Sequence, residues 1–346
     1  MKAGAALTAA ELSAFFQGLD TVRIGLIGDL CLDLYWKADM RLSELSRETP
    51  HYPLPVVEER YQPGGAGNVA ANLAALQPGT LCVLGLIGED WRGDLLLRAL
   101  GERGIDTSRI LRRSGIMTNT YIKPLRTGIS NVIYEDPRLD FEARQPVDTA
   151  CEARVIAALE EMATHVDVIC VSDQMKYGIV TERVRQTLCT LGQQGKTVIV
   201  DSRDRIGEYH HVIIKPNEVE AARAFGTDPE DLEQLAGLAG KISEKNSAPA
   251  LITLGSKGCM AAQNGQSTYC PACKVEPPLD FCGAGDTFLA GFGLALGSGV
   301  PVAAAAKIAN LCSAVTIQKL GTTGTVTRQE LVQATEQYLQ LKIKFE

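Results

Sequence analysis

Aromatic residues are scarce in this chain, at 5%, and there are only four histidines: His51, His165, His210 and His211. No block of basic residues occurs, and the net charge over 346 residues is −7. That balance disfavours non-specific binding to nucleic acid or to an anionic membrane surface. No apolar run approaches the ~20 residues that cross a bilayer. Repeats and low-complexity linkers are missing as well. So are the G-x-x-x-x-G-K-[ST] phosphate loop and the protein-kinase motif set. Ile27, at the end of the first strand-like run, is followed by Gly28-Asp29-Leu30-Cys31 rather than G-x-G-x-x-G, which disfavours a Rossmann-type oxidoreductase. The segment from Met1 to Asp20 carries a short amphipathic stretch, Glu11 to Phe16, without the basic start and apolar core of a signal peptide. The cytoplasm is therefore the expected compartment.

Cysteine is not lacking, but its pattern is uninformative. The ten cysteines are scattered, and Cys82, Cys170 and Cys312 fall in apolar runs, as small buried hydrophobes do. Cys270 and Cys273 have C-x-x-C spacing, but no second pair and no histidine stands at ligand spacing from them. A structural role is the expectation for both.

What is present is an α/β pattern. Apolar runs at 22–27, 81–87, 166–171, 197–200, 211–214 and 250–254 read as strands. Helix-like stretches at 66–76, 90–103, 151–163, 180–194, 218–225 and 231–245 lie between them. Continuous apolar strands alternating with helices imply a mostly parallel sheet covered on both faces. Ligands of such sheets bind beyond the carboxyl ends of the strands. Two segments break the rhythm. Residues 34–61 contain Pro50, Pro53 and Pro55, and residues 117–141 contain short alternating runs that read as antiparallel strands. Together they would make a small sheet projecting from one large domain.

The most informative run is Asp280-Phe281-Cys282-Gly283-Ala284-Gly285-Asp286-Thr287-Phe288, followed by an apolar stretch to Leu296. It reads as a tight loop opening a buried helix. The first N–H groups of a helix lack internal partners and lie at the positive end of its dipole. With Gly283, Ala284 and Gly285 bare around them, they suit a phosphoryl group. Asp286 at the rim could take a proton from an attacking hydroxyl, and an anion hole beside a base is what phosphoryl transfer to an alcohol requires. The same residues would also serve as an ordinary Gly-rich turn with Asp as a helix cap.

Three further motifs accompany it. Gln62-Pro63-Gly64-Gly65-Ala66-Gly67-Asn68 opens another apolar helix, and its bare backbone with Asn68 could lie against a polyol or serve structure only. Lys215-Pro216-Asn217-Glu218-Val219-Glu220 follows a strand and opens a helix. Asn217 and Glu220 there fit a capping box, and their oxygens are also suitable hard ligands for magnesium. Thr253-Leu254-Gly255-Ser256-Lys257-Gly258 is a strand end with a glycine turn, and Lys319 to Thr322 closes the series.

The Asp280–Asp286 run resembles the D-T-x-G-A-G-D motif of the ribokinase-like (PfkB) sugar kinases, with Phe281 where that family has threonine. The other three motifs match further elements of the family in the expected order, across nearly the whole chain from Asp29 to Gly321. The resemblance implies a three-layer α/β ribokinase-like fold over residues 1–346, with the two irregular segments as a β lid that often pairs with a second subunit. It implies ATP and Mg²⁺ as cofactors and leaves a monovalent-cation requirement open. Asp286 would be the base, with the Gly283-Ala284-Gly285 loop as anion hole. Asp33, Gly64, Gly65 and Asn68 would hold the sugar. Asn217, Glu218, Val219, Glu220, Thr253, Gly255, Gly258 and Asn310 would lie along the nucleotide, with Glu220 reaching magnesium through water.

Within the family, residues 27–36, 53–57, 63–66, 138–142 and 171–173 are similar to the D-glycero-β-D-manno-heptose-7-phosphate kinase domain of bifunctional ADP-heptose synthesis enzymes. The nucleotidyltransferase part of those enzymes has no counterpart before Glu346, so a kinase alone is expected. A phosphorylated acceptor calls for a cationic clamp. Candidates are Arg47, Lys123, Arg126, Arg138 and Lys176, with Arg138 and Lys176 favoured because they lie in or beside the matching segments. A kinase of an unphosphorylated sugar or nucleoside, and a non-catalytic sensor, remain as alternatives. Cys282, beside the anion hole, is either a redox-sensitive thiol or an inert filler.

Overall fold

The computed structural model describes residues 2–3, 7–227, 229, 231–321 and 323–343. Thr322, the last residue of the closing motif, lies outside them. In chain order the elements begin with β1 (Lys2–Ala3), α1 (Ala9–Gly18), β2 (Arg23–Gly28), β3 (Leu30–Asp39), β4 (Val56–Gly65), α2 (Ala66–Ala75), β5 (Thr80–Gly88), α3 (Trp91–Gly101) and β6 (Ile110–Arg113). Next come β7 (Thr120–Thr127), β8 (Tyr134–Glu135), β9 (Leu139–Phe141), α4 (Thr149–His165), β10 (Val168–Asp173), α5 (Glu182–Gln193), β11 (Thr197–Ser202), β12 (Ile213–Ile214), α6 (Glu218–Phe225) and α7 (Leu232–Asn246). The last are β13 (Ala250–Thr253), β14 (Gly258–Gln263), β15 (Gln266–Pro271), α8 (Ala284–Gly297), α9 (Val302–Thr316) and α10 (Arg328–Ile343).

The large sheet has the order β1-β15-β14-β13-β12-β11-β10-β2-β5-β6. Only β14 pairs antiparallel with its neighbours, β13 and β15. Apolar side chains leave each central strand in both directions. Ile24, Leu26, Val168 and Cys170 face a core shared with α1, α2, α3, α8 and α9. Val171, Ile169, Val198 and Val200 face a second core with α4, α5, α6 and α7. This is a three-layer sandwich, in which burial on both faces explains why the strands read as unbroken apolar runs. Among the described residues no helix is long and apolar enough to cross a membrane.

Helix α8 is buried without a break from Thr287 to Ala295. Gly291 and Gly293 let it close on α9 and the sheet, because a Cβ on either would come within 3 Å of Cys312 Sγ or Cys170 Sγ. Its first turn is thereby fixed at the carboxyl edge of β2, β10 and β11.

A second sheet of five strands stands over this edge, in the order β4-β3-β7-β8 with β9 also on β7. It corrects the sequence reading in two ways. Its first segment does not span 34–61: β3 starts at Leu30, with only Asp29 between it and the end of β2, and β4 continues to Gly65. The chain turns at Asp29, and the apolar Leu30-Cys31-Leu32 opens the smaller sheet. The segment 117–141 is not antiparallel throughout either. β7 runs parallel to β3 over eight residue pairs, Leu32↔Thr120 to Asp39↔Thr127, while β8 and β9 are antiparallel to β7. All ten cysteines are free thiols. Cys270, next to last in β15, stands directly opposite Cys259 of β14.

Candidate active site

Two adjoining cavities open at the carboxyl edge of the large sheet. The larger, of 550 Å³, is bordered by the ends of β11, β12 and β13 and by the first turns of α6 and α8. The smaller, of 220 Å³, opens beneath the smaller sheet. Asp286 and Gly283 line both.

Gly283 caps α8 at φ 79°, and a Cβ there would come within 2.5 Å of the Asn68 amide nitrogen. Only glycine allows α8 to start this close to α2. Asn68 Nδ2 donates to Asp286 Oδ2 at 2.8 Å. Asn68 itself is held by Asn72, whose Nδ2 donates to the Asn68 carbonyl at 3.0 Å, and Thr287 Oγ donates to Asn72 Oδ1 at 3.1 Å. The two Gly-rich motifs thus interlock through amides. Asn68, expected to meet a sugar hydroxyl, also orients the expected base.

The anion hole is narrower than the sequence suggests. The Ala284 N–H donates to the Phe281 carbonyl at 3.2 Å, closing a turn. Gly285 and Asp286 keep N–H groups with no acceptor among the described residues, at the positive end of the helix. Asp280 braces the loop by accepting from the Cys282 N–H at 3.0 Å and the Gly321 N–H at 3.0 Å. Phe281, in the position where the resembled motif has threonine, is exposed and lines the larger cavity.

Burial pushes the Asp286 carboxyl up to about 7; the Asn68 hydrogen bond and Lys215 pull it down, while Asp201 and Asp33 push it further up. Lys215, buried, pairs with Asp201 at 2.9 Å, and its Nζ lies 4.0 Å from where a Gly285 Cβ would be. Burial pulls the Lys215 ammonium down, but its partner Asp201 outweighs this and holds it above its usual range.

Of the residues expected along the nucleotide, Asn217, Glu218, Val219, Glu220, Thr253, Gly255, Gly258 and Asn310 all border the larger cavity. Asn217 and Glu220 do form a capping box: the Asn217 N–H donates to Glu220 Oε2 at 2.9 Å and the Glu220 N–H to Asn217 Oδ1 at 2.8 Å. That leaves Glu220 Oε1 as an oxygen donor. Burial raises the Glu220 carboxyl, against the Asn217 N–H. Asn310 donates to the Cys270 and Pro271 carbonyls at 3.1 and 3.2 Å, tying α9 to the end of β15. Gly255, at φ 54°, has nothing within 4 Å of a Cβ position. Open backbone at Gly255 and Gly285, free helix amides and a buried lysine fit a polyphosphate. Among the described residues no cluster of three or more His, Cys, Asp or Glu could hold a metal ion.

Asp33, Gly65, Asn68 and Arg138 line the smaller cavity, together with Tyr121, Lys123 and Cys282. Gly64 stands behind Asp33, where a Cβ would come within 2.8 Å of that carboxyl. Burial raises the Asp33 carboxyl, opposed by Lys123 and Arg138. Arg138 binds Asp140 at 2.6 and 2.7 Å and lies over the Tyr121 ring. Lys176 is not brought in: it is exposed, over the Tyr177 ring, and borders neither cavity. Cys282 is exposed at the cavity mouth, and local desolvation together with Asp33, Asp280 and Asp286 holds its thiol above the usual range.

Sequence reasoning did not single out Gln174, Asp201, Arg203 or Lys215, though all four line the larger cavity. The available signal was position, since each follows or ends a parallel strand at its carboxyl edge.

The model of the family described as pfkB family carbohydrate kinase matches residues 30–328. The bifunctional protein HldE of Trichlorobacter lovleyi is 33% identical over 329 residues, covering 93% of this chain and 65% of its own length. That of Citrifermentans bemidjiense is 34% identical over 328 residues, with the same coverage. The chain therefore spans just under two thirds of these relatives. Among solved structures, Arabidopsis thaliana ribokinase complexed with ribose and ATP superposes with a TM-score of 0.67 at 20% identity, covering 90% of this chain and 98% of its own. Phosphofructokinase-2 of Escherichia coli in complex with fructose-6-phosphate gives 0.68 at 16%, with the same coverage. At these identities the likeness is one of fold, and the fold is the ribokinase-like one.

Proposed function

The chain belongs to the pfkB family of carbohydrate kinases, and on that premise we propose that it transfers the γ-phosphoryl group of ATP to a hydroxyl of a phosphorylated sugar of the heptose 7-phosphate kind. The observation that carries this reading is Asp286 on the boundary of two cavities, with a proton affinity near neutrality and two free helix amides beside it. A carboxylate titrating near 7 is a strong enough base to accept an alcohol proton as the oxygen attacks phosphorus.

The nucleotide occupies the larger cavity, along Asn217, Thr253, Gly255 and Asn310. Magnesium, when bound, would neutralise phosphate charge, with the Glu220 and Asn217 side-chain oxygens accepting hydrogen bonds from its water. The acceptor lies in the smaller cavity against Asp33, Gly65 and the smaller sheet, which acts as a lid. Asp286 removes the hydroxyl proton, and the Gly285 and Asp286 amides with Lys215 stabilise charge on the moving phosphoryl group. Lys123 and Arg138 supply positive charge for an acceptor phosphate. A homodimer through the lid completes the proposal.

An unphosphorylated sugar is the second reading. It is favoured by the partners these cations already have, Asp140 for Arg138 and the Tyr35 hydroxyl, 3.4 Å from Lys123. The deciding experiment measures ADP release with ATP and magnesium over a panel of sugars, sugar phosphates and nucleosides. Turnover confined to heptose 7-phosphate is the expected result. Turnover confined to unphosphorylated acceptors would discard the clamp, and no turnover at all would leave a sensor.

A further inference from the structure

The two cavities share four residues: Gln174, Arg203, Gly283 and Asp286. A group moving from the larger cavity to the smaller passes between them. Gly283 offers backbone, Gln174 an amide and Asp286 a carboxylate. Arg203 is the one cation of the four. It directly follows β11, and its backbone is anchored on both sides. Its N–H donates to the Asp173 carbonyl at 3.1 Å, and its own carbonyl accepts from the Arg223 guanidinium.

The side chain is treated differently from its neighbours. Arg205 is neutralised by the buried Asp173, Arg223 by Asp204 at 3.0 Å and Arg138 by Asp140 at 2.6 Å. Arg203 forms no ion pair with any described residue. Arg203 is exposed at the rim where the two cavities meet, so its guanidinium is open to an incoming anion, and its planar fork matches phosphate oxygens.

We infer that Arg203 is a catalytic residue that binds the phosphoryl group in transit, an inference that rests on the kinase reading. In the reaction the acceptor oxygen forms a bond to the γ-phosphorus, and the bond from that phosphorus to the bridging oxygen breaks. The electron pair leaves with ADP, and the hydroxyl proton goes to Asp286. Negative charge spreads over the three oxygens of the group in flight. The Gly285 and Asp286 amides and Lys215 meet it from the larger cavity. Arg203, bordering both cavities, stays with it as it crosses. It supplies within the chain the kind of charge that other phosphotransferases bring in as an arginine finger.

The test pairs Arg203→Gln and Arg203→Lys with the wild-type protein. Expected is a fall in kcat of about 10²–10³-fold for Arg203→Gln, of the size found on removing one transition-state donor. Arg203→Lys should recover part of it, while the KM values for nucleotide and acceptor stay close to wild type. A kcat near wild type would overturn the inference, as would a loss confined to the acceptor KM. A second readout does not need turnover: calorimetric binding of ADP·Mg²⁺ with and without aluminium fluoride, a mimic of the transferring phosphoryl group. The wild-type protein should bind tighter with fluoride, and Arg203→Gln should lose that gain. Equal gain in both proteins sinks the role of Arg203, even if turnover of Arg203→Gln falls. If the wild-type protein phosphorylates nothing yet shows the gain, the kinase reading falls while the phosphoryl contact stands. No gain in the wild-type protein overturns the contact.

Discussion

At Asp286 a carboxyl group is pushed up to about 7, well above the usual carboxylate range. Burial is the main cause, and the Asn68 hydrogen bond is what keeps the shift from growing. The catalytic form is the ionised one. Going down in pH through about 7 protonates Asp286, so kcat/KM should fall about tenfold per unit below that point and level off above it. Asp286→Asn should lower kcat by about 10²–10⁴-fold, remove the inflection and leave nucleotide affinity intact. A mutant retaining both rate and inflection would take Asp286 out of the chemistry. The neutral amide can still accept from Asn68, so loss of structure is not the expected cause of the loss in rate. Position, more than residue type, identifies the base: many aspartates cap helices, but here the cap is Gly283 and Asp286 is turned toward Asn68 and the cavities.

Among elements, the segment that follows β10 is the least obvious from sequence and among the most constrained. The carboxylate of Asp29, at the corner between β2 and β3, accepts the N–H groups of Gln174, Met175 and Ile179 at 2.7 to 2.8 Å. Gly178 passes so close that a Cβ would collide with that carboxylate. Gln174 and Met175, thus fixed, line the smaller cavity. Burial and the nearby Asp173 push the Asp29 carboxyl up to about 6, against these three donors. In Asp29→Asn one oxygen acceptor becomes an NH₂ group facing an N–H. Equilibrium unfolding should report a loss of about 1–3 kcal/mol, and the acceptor KM should rise while the nucleotide KM holds. Unchanged stability would mean that the segment is held by something other than Asp29. The motif text around Asp29 and Asp33 drew attention to Asp33 as a sugar ligand. The equally important work of Asp29 needed partners about 150 residues away.

For the whole molecule, the decisive feature is a second sheet hung over the carboxyl edge of the first. β4 is its outer strand, with an unpaired edge and exposed Val56 and Val57. Such an edge is a template for another strand unless covered, and a second copy laid across a twofold axis would cover both edges at once. Sedimentation of the wild-type protein at micromolar concentration should give a dimer, and Val57→Asp a monomer. A wild-type monomer would end the proposal. Dimer formation would also bear on catalysis, because β3, which carries Asp33, pairs with β4 along its length.

Composition and periodicity by themselves determined the layered α/β plan, because strands buried on both faces must be apolar throughout and the helices between them need apolar stripes. The glycine motifs likewise announced helix starts with bare backbone, a local property that neighbouring residues dictate. The helix Glu218–Phe225 was read at its true ends, since Asn217 and Glu220 cap it locally. What the tertiary structure alone decided is which of these pieces meet. It narrowed the anion hole by turning the Ala284 amide onto Phe281, gave Asn68 to Asp286, set Arg203 between the cavities and left Lys176 outside. It also moved the start of the smaller sheet to Leu30. Apart from the local turn from Phe281 to Ala284, these depend on contacts between segments tens to hundreds of residues apart, such as Asn68 with Asp286 or Asp29 with Met175. No local pattern encodes them, because the energy that selects them comes from packing α2, α8 and the strand ends together.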